Sequence, residues 1–223
     1  MIKYALIVAG GSGNRMQSTT PKQFLVIDGM PILMHTIKAF YQFDSGLNII
    51  LVLPENQLES WQYLIKNNHF TIKHQVIAGG LTRYDSVKNG LAAIHDRGLV
   101  AIHDGVRPLV TPQIIGRTFE AAAAYGSGVA AIKPKDSIRL LEDNTNRNLN
   151  REALRLIQTP QTFTTDIIKQ AYTTYNDLGF TDDASVAEYA GHKINLVDGD
   201  YKNIKITTPE DLKIAQALLE NLK

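Results

Sequence analysis

Short apolar runs bounded by Gly, Pro or Asp recur along the chain at residues 5–8, 49–53, 75–77, 100–102, 129–132 and 194–197. Runs of this length between turn-forming residues predict buried strands. Between them, helical patterns fall near residues 32–43, 58–67, 86–96, 114–125, 167–178 and 212–222. Alternation of this kind predicts an α/β fold, a mostly parallel, Rossmann-like twisted sheet with helices on both faces. Start signals agree: Thr111-Pro112 and Thr208-Pro209 each set a capping hydroxyl before a proline at the first helical position, and Asp211 completes a capping-box-like pattern.

Residues 136–155 break the rhythm with polar alternation around a turn-rich centre at Asp143-Asn144-Thr145-Asn146, which predicts a projecting β-hairpin. Its few apolar residues cannot make a core. The segment is therefore either a solvated surface loop or an arm that packs on a second subunit.

Composition narrows the class. With 223 residues, 44% of them hydrophobic, the chain can bury a full core, and residues 1–223 are expected to form one domain from which 136–155 project. Lys plus Arg number 23 against 22 Asp plus Glu, so a net charge of +1 offers no global field for nucleic acid or an anionic membrane, and neither is expected as a partner. The absence of cysteine excludes disulfides, thiolate nucleophiles and zinc-thiolate sites. The apolar stretch 4–8 is too short for a signal sequence, and no run approaches the ~20 residues of a membrane span, so the expected compartment is the cytoplasm.

Candidate chemistry begins where the first apolar run opens into Ala9-Gly10-Gly11-Ser12-Gly13-Asn14-Arg15-Met16, followed by Pro21-Lys22-Gln23. Gly10, Gly11 and Gly13 let backbone N–H groups approach an anion, and Arg15 and Lys22 add fixed positive charge, the makings of a polyphosphate cradle. The dinucleotide fingerprint fails for want of its third glycine, and the Walker loop for want of Gly-Lys-Ser/Thr.

In an open parallel sheet ligands bind beyond the carboxyl ends of the strands, so the polar residues after each run form one set. After 75–77 come Gly79-Gly80, where a flat base has room to approach, and Arg83 and Ser86, donors near a helix N-terminus that suit a ribose or phosphate or serve as ordinary turn and capping residues. After 100–102 come His103-Asp104-Gly105-Val106-Arg107-Pro108. Asp104 there suits a ribose hydroxyl or a metal on phosphate oxygens, unless Arg107 pairs with it structurally. Further on, Gln158-Thr159-Pro160-Gln161 reads as a rigid polar turn, and Thr181-Asp182-Asp183-Ala184-Ser185 opens a helix, its two carboxylates either an acid/base couple or a cap. Asn203-Ile204-Lys205-Ile206-Thr207 sets a lysine inside a strand, where it suits a phosphate clamp. The six histidines show no metal-ligand spacing, and no nucleophile elbow for Ser-His-Asp hydrolysis occurs.

Together these ordered blocks resemble the 2-C-methyl-D-erythritol 4-phosphate cytidylyltransferases of the non-mevalonate isoprenoid pathway, over nearly the whole chain. The resemblance implies transfer of CMP from CTP to a sugar-alcohol phosphate, with pyrophosphate leaving on Mg²⁺ carried by the CTP phosphates. It implies Arg15 and Lys22 as catalytic residues. Ala9, Gly10, Gly11, Gly13, Gly80, Arg83, Ser86, Asp104 and Arg107 then bind the nucleotide. Arg151 and Lys205 hold the acceptor phosphate, and Thr159, Thr181, Asp182 and Ser137 line the acceptor pocket. Ser137 and Arg151 come from the arm of the second subunit of a homodimer.

The chain departs from the family's habit at Leu81, Gly105-Val106 and Asn150, positions that bear on the acceptor. The ribitol-5-phosphate cytidylyltransferases, a sister family, share the glycine loop, the Val-Arg-Pro variant and the Asn-Ile-Lys block, while the Thr-Asp-Asp-Ala-Ser block favours methylerythritol phosphate. A nucleotide-binding domain without turnover is the alternative of another class. Retention of Arg15 and Lys22 argues against it, because a pure binder has no use for cations on a leaving group.

Overall fold

A computed structural model of the chain describes residues 1–10, 16, 20–143, 145–174 and 179–220. Its elements are β1 (Ile2–Val8), the short strands β2 (Val26–Ile27) and β3 (Met30–Pro31), α1 (Ile32–Phe43), β4 (Asn48–Leu53), α2 (Leu58–Asn67) and β5 (Gln75–Ala78). There follow α3 (Arg83–Ala92), β6 (Gly98–Asp104), α4 (Pro112–Tyr125), β7 (Ser127–Ile132), β8 (Ile138–Glu142) and β9 (Thr145–Leu149). The last are β10 (Leu156–Thr164), α5 (Thr165–Thr174), α6 (Asp183–Tyr189), β11 (Leu196–Asp198) and α7 (Pro209–Glu220).

The central sheet has the order β11-β7-β10-β6-β1-β4-β5. All neighbours run parallel except β10, which is antiparallel to both β6 and β7. Alternation along β1 feeds both faces: Ala5 and Ile7 join the layer under α1 and α4, while Tyr4, Leu6 and Val8 join the layer under α3, α5 and α6. β6 is buried at every position, which is why it reads as a continuous apolar run rather than an alternating one. α7 closes a third, smaller cluster through Ala215 against Ile27, Ile32, Val106, Leu109 and Ile206.

Each of the six apolar runs overlaps a strand, and the helices predicted at 32–43 and 58–67 match α1 and α2 to the residue. Three expectations are corrected. Residues 158–161, read as a turn, lie inside β10, where the pairing with β7 shifts between Ile157 and Gln161. Their polar side chains are buried and bonded to β6, to the start of α6 and to Asp200, so the strand carries no apolar alternation to betray it. Residues 203–207 form no regular strand; the Ile206 N–H donates to the Val106 carbonyl at 2.9 Å and lays the segment beside the 104–107 loop. Finally α3 starts at Arg83, not at 86, because Thr82 and Asp85 form a capping box: the Asp85 N–H donates to Thr82 Oγ1 and the Thr82 N–H to Asp85 Oδ2, each at 3.1 Å.

The proline-started helices form as read, Thr111 Oγ1 accepting from the Ile114 N–H and Thr208 Oγ1 from the Asp211 N–H. β8 and β9 make a separate antiparallel hairpin in which Ile138 faces Leu149 and Glu142 faces Thr145. Leu141 on it is 77% exposed, the mark of a hairpin standing off the body of the chain. Among the described residues no helix is long and apolar enough to cross a membrane.

Candidate active site

The register of the sheet assembles the site. Val8, the last residue of β1, lies opposite Asp104, the last of β6, so Ala9-Gly10 and the Gly105–Arg107 loop leave the sheet side by side. The Ala9 N–H donates to the Val52 carbonyl, the Gly79 N–H to Leu53 and the Gly105 N–H to Val8, which extends the alignment just past the strand ends.

Two cavities open on this edge. One, of about 150 Å³, is lined by Val8, Ala9, Gly10, Lys22, Gln23, Leu81, Thr82, Arg83, Asp104, Val106 and Lys205. The second, of about 290 Å³, is lined by Arg83, Asp104, Arg107, Ile157, Gln158, Thr159, Gln161, Thr181, Asp182 and Lys205. Arg83, Asp104 and Lys205 belong to both and form the wall between them. The predicted residues Ala9, Gly10, Lys22, Arg83, Asp104, Arg107, Thr159, Thr181, Asp182 and Lys205 are thus brought together. Gly11, Gly13 and Arg15 lie outside the described residues.

Asp104 is the hub of the wall. Its carboxylate meets Lys205 Nζ at 3.1 Å, Arg107 Nε at 3.2 Å and Arg83 Nε at 3.6 Å. Burial alone would raise its pKa, but Lys205, then Arg83 and Arg107, outweigh burial and hold the carboxyl well below the usual carboxylate range. Asp104 thus anchors three cations, and with Asp183, which also pairs with Arg83, two carboxylates meet three cations, leaving the wall one net positive charge.

Arg107 sits in the wall as a strut as well as a charge. Its Nη1 donates to the Asn203 carbonyl at 2.8 Å, tying the 104–107 loop to the segment that carries Lys205. The pairing with Asp104 is thus realised, and Arg107 also lines the second cavity.

Arg83 forks onto Asp183, Nη1 to Oδ1 at 2.9 Å and Nη2 to Oδ2 at 2.7 Å. Burial would lower the guanidinium's pKa, but Asp183 and then Asp104 hold it above its ordinary value, and the group stays charged. Asp183 is fully buried and also accepts from the Tyr172 hydroxyl at 2.6 Å. The two carboxylates read as an acid/base couple or a cap have separate structural tasks. Asp182 caps α6 through the Ser185 N–H at 2.9 Å and accepts from Gln161 Nε2 at 3.0 Å, and Asp183 serves Arg83.

Several predicted residues are engaged with the protein itself. Thr159 Oγ1 accepts from the Asp104 N–H at 3.1 Å and donates to His103 Nδ1 at 2.9 Å; the opposite His103 nitrogen, as Nε2–H, donates to the Arg107 carbonyl at 3.2 Å. These partners assign the neutral Nε2–H tautomer. Burial pushes the His103 pKa down to about 3. Ser86 Oγ accepts from the Gly80 N–H at 3.1 Å and donates to the Thr82 carbonyl at 2.9 Å, so it braces the 79–82 loop. The glycines there answer to the same packing: a Cβ on Gly80 would lie 2.2 Å from Asp85 Cβ, and one on Gly79 would lie 2.8 Å from Ser86 Oγ.

Ser137 and Arg151 are exposed at the root of the hairpin and line neither cavity. Arg151 Nη1 donates to the Lys135 carbonyl at 2.8 Å. Sequence reasoning missed the bracing roles of His103, Gln161, Tyr172 and Asn203. Asn203 donates to the Thr159 carbonyl at 2.8 Å across a separation of 44 residues, and no local signal announces such a partner.

Ala9, Gly10 and Lys22 on one side of a cationic wall, and a polar cavity on the other, at the carboxyl edge of this sheet, suit a nucleotidyltransferase. The family model for 2-C-methyl-D-erythritol 4-phosphate cytidylyltransferase matches residues 3–221. Enzymes of that name from Bacteroides fragilis and Bacteroides thetaiotaomicron are 48% and 47% identical to this chain, each over 98% of it and 100% of their own length. Among solved structures, 4-diphosphocytidyl-2C-methyl-D-erythritol synthase of Anaerococcus prevotii aligns with a TM-score of 0.85 at 30% identity, over 98% of this chain and 96% of that one. The Thermus thermophilus 2-C-methyl-D-erythritol 4-phosphate cytidylyltransferase gives 0.81 at 31%, over 99% and 100%. The chain belongs to the 2-C-methyl-D-erythritol 4-phosphate cytidylyltransferase family.

Proposed function

We infer that this chain transfers CMP from CTP to 2-C-methyl-D-erythritol 4-phosphate, releasing pyrophosphate, in non-mevalonate isoprenoid precursor synthesis. Beside the family match, one observation carries the reading: three cations converge on Asp104 between two cavities, one of them bordered by the start of the glycine turn and Lys22. In this reading CTP occupies the cavity with Ala9, Gly10 and Lys22, and the acceptor occupies the cavity with Thr159, Thr181 and Asp182.

The acceptor's phosphate oxygen attacks the α-phosphorus in line, so no protein nucleophile is required, and catalysis reduces to positioning and charge neutralisation. Bringing the acceptor phosphate to a triphosphate costs about 1–4 kcal/mol per charge pair at 4 Å in surface-like dielectrics. A cation at similar distance returns a comparable amount, so the positive charge that Lys205, Arg83 and Arg107 keep beyond Asp104 and Asp183 offsets part of the repulsion where the two anions meet. Lys22, with Arg15, neutralises the charge that builds on the α-phosphate and pyrophosphate. Asp104 keeps the wall cations in place at every working pH.

Mg²⁺ belongs in this account as part of the substrate, carried on the CTP phosphates. The described residues do not fit a resident metal: no group of three His, Cys, Asp or Glu side chains converges among them, and the carboxylate of the wall is taken by three cations. The hairpin is proposed as a dimerisation arm that delivers Ser137 and Arg151 to the partner's acceptor cavity. Its exposed Leu141 and the position of both residues away from the cavities of their own chain support that arrangement.

The test is pyrophosphate release from CTP and Mg²⁺ with each acceptor separately. Release with methylerythritol phosphate alone is expected. Release with ribitol 5-phosphate alone assigns the sister activity, and CTP binding without product from either acceptor assigns a binding domain.

A further inference from the structure

Of Pro21-Lys22-Gln23, only the lysine has entered the function above. Gln23 is nonetheless fully buried at the edge of the nucleotide cavity. Both protons of its side-chain amide are committed: Nε2 donates to the Ala9 carbonyl at 2.9 Å and to Gln57 Oε1. Ala9 follows the last residue of β1 and precedes Gly10. Gln57 ends the 3-10 turn Glu55–Gln57 that leads into α2.

The orientation of that amide is forced. Turning it over would set Gln23 Oε1 against the Ala9 carbonyl oxygen, two acceptors face to face. The orientation that remains leaves Gln23 Oε1 buried with no hydrogen-bond partner among the described residues. A buried acceptor without a donor is a standing cost, tolerated here because the same amide makes two donations that hold separate segments together.

On the other side of the lysine turn, Phe24 stacks on Trp61 with ring centroids 6.0 Å apart and planes 12° from parallel. The Trp61 Nε1–H in turn donates to His74 Nε2 at 3.0 Å. The 3-10 turn Lys22–Phe24 is therefore held to α2 by its aromatic end and to the mouth of β1 by its amide.

We propose that Gln23 is a positioning residue for Lys22: by clamping the Ala9 carbonyl it sets the distance between the lysine and the start of the phosphate-binding turn. The inference rests on the reading that Lys22 acts on the nucleotide's phosphates. Its logic is that a charge serving the transition state loses most of its effect when displaced by an ångström, while binding through other contacts survives.

The experiment is a double-mutant cycle on the full-length enzyme. Gln23→Met keeps the length of the side chain and removes both N–H donors. In the parent it is expected to lower kcat about tenfold or more with the acceptor KM within about twofold, and in a Lys22→Ala background to lower kcat by less than about twofold. Equal fold-losses in both backgrounds, or no loss in the parent, overturn the inference. If Lys22→Ala itself leaves kcat intact, the reading of Lys22 has failed and the inference falls with it, a result distinct from equal losses. Should Gln23→Met not fold, Gln57→Leu, which removes one acceptor of the clamp at a half-buried position, runs through the same cycle, and Gln57→Glu, which keeps an acceptor, is expected to restore kcat.

Discussion

Arg83 and Asp183, 100 positions apart in the chain, meet in a two-bond fork at 2.9 and 2.7 Å. The fork joins the first residue of α3 to the first of α6 and thereby fixes the side chain that separates the two cavities. A residue expected to bind nucleotide is thus also a beam of the scaffold.

Asp183→Ala leaves a largely buried guanidinium without its main partner and a Tyr172 hydroxyl without its acceptor. Removing one member of such a buried pair costs about 3–5 kcal/mol, against about 1 kcal/mol for Tyr172→Phe, which deletes a single hydrogen bond. Urea titrations of both variants measure the difference, and an unshifted midpoint for Asp183→Ala contradicts the structural role.

Acid should weaken the fold through His103. Its pKa falls from 6.5 to about 3 on burial, so below 6.5 the unfolded chain takes up a proton that the folded chain refuses. Stability is then complete above 6.5 and falls by roughly 1.4 kcal/mol per pH unit down to the folded value. His35 and His74, also lowered by burial, act in the same sense. The discriminating measurement is therefore the slope of unfolding free energy between pH 7 and 4 in the parent minus that in His103→Asn, which is expected to be shallower. Asp104 adds its own loss only in stronger acid, because its folded pKa is depressed and its stabilisation disappears as pH drops through that value.

Lys22→Ala is expected to reduce kcat by at least about a hundredfold while CTP affinity changes less than about tenfold, because its charge acts mainly on the transition state. Comparing single-turnover rates with nucleotide binding by calorimetry separates the two. Matched losses would mean that the lysine binds ground state and transition state alike.

If the arm completes its partner's site, an Arg151→Ala chain mixed with a Lys22→Ala chain regains activity. Random pairing makes about half the dimers hybrid, each with one intact site, so recovery near a quarter of the parent rate is expected. Absence of recovery after verified subunit exchange shows that each chain serves its own site.

Gly80→Ala probes the 79–86 loop. The added methyl would lie 2.2 Å from Asp85 Cβ, part of the capping box of α3, and backbone must shift to admit it. A loss of about 1–3 kcal/mol is expected from overpacking of this kind, read from thermal unfolding.

What the chain announces on its own is whatever has a period or a punctuation mark. α1 and α2 are visible from their apolar spacing, α4 and α7 from Thr-Pro starts, and β1, β4 and β6 from short apolar runs, because local sterics and one-sided burial act between near neighbours. The blocks carrying Lys22, Asp104 and Lys205 are legible because each is a short string of distinctive residues, Pro21-Lys22-Gln23, His103-Asp104 and Asn203-Ile204-Lys205, although only Asp104 ends a strand. Tertiary structure alone decided what is long-range: that β10 is a strand despite its polar Gln158-Thr159-Pro160-Gln161, that 203–207 is not one, and that Asp183 belongs to Arg83. These follow from burial and pairing between segments far apart in sequence, where a polar side chain's partner is set by the packing of the whole sheet edge and not by its neighbours.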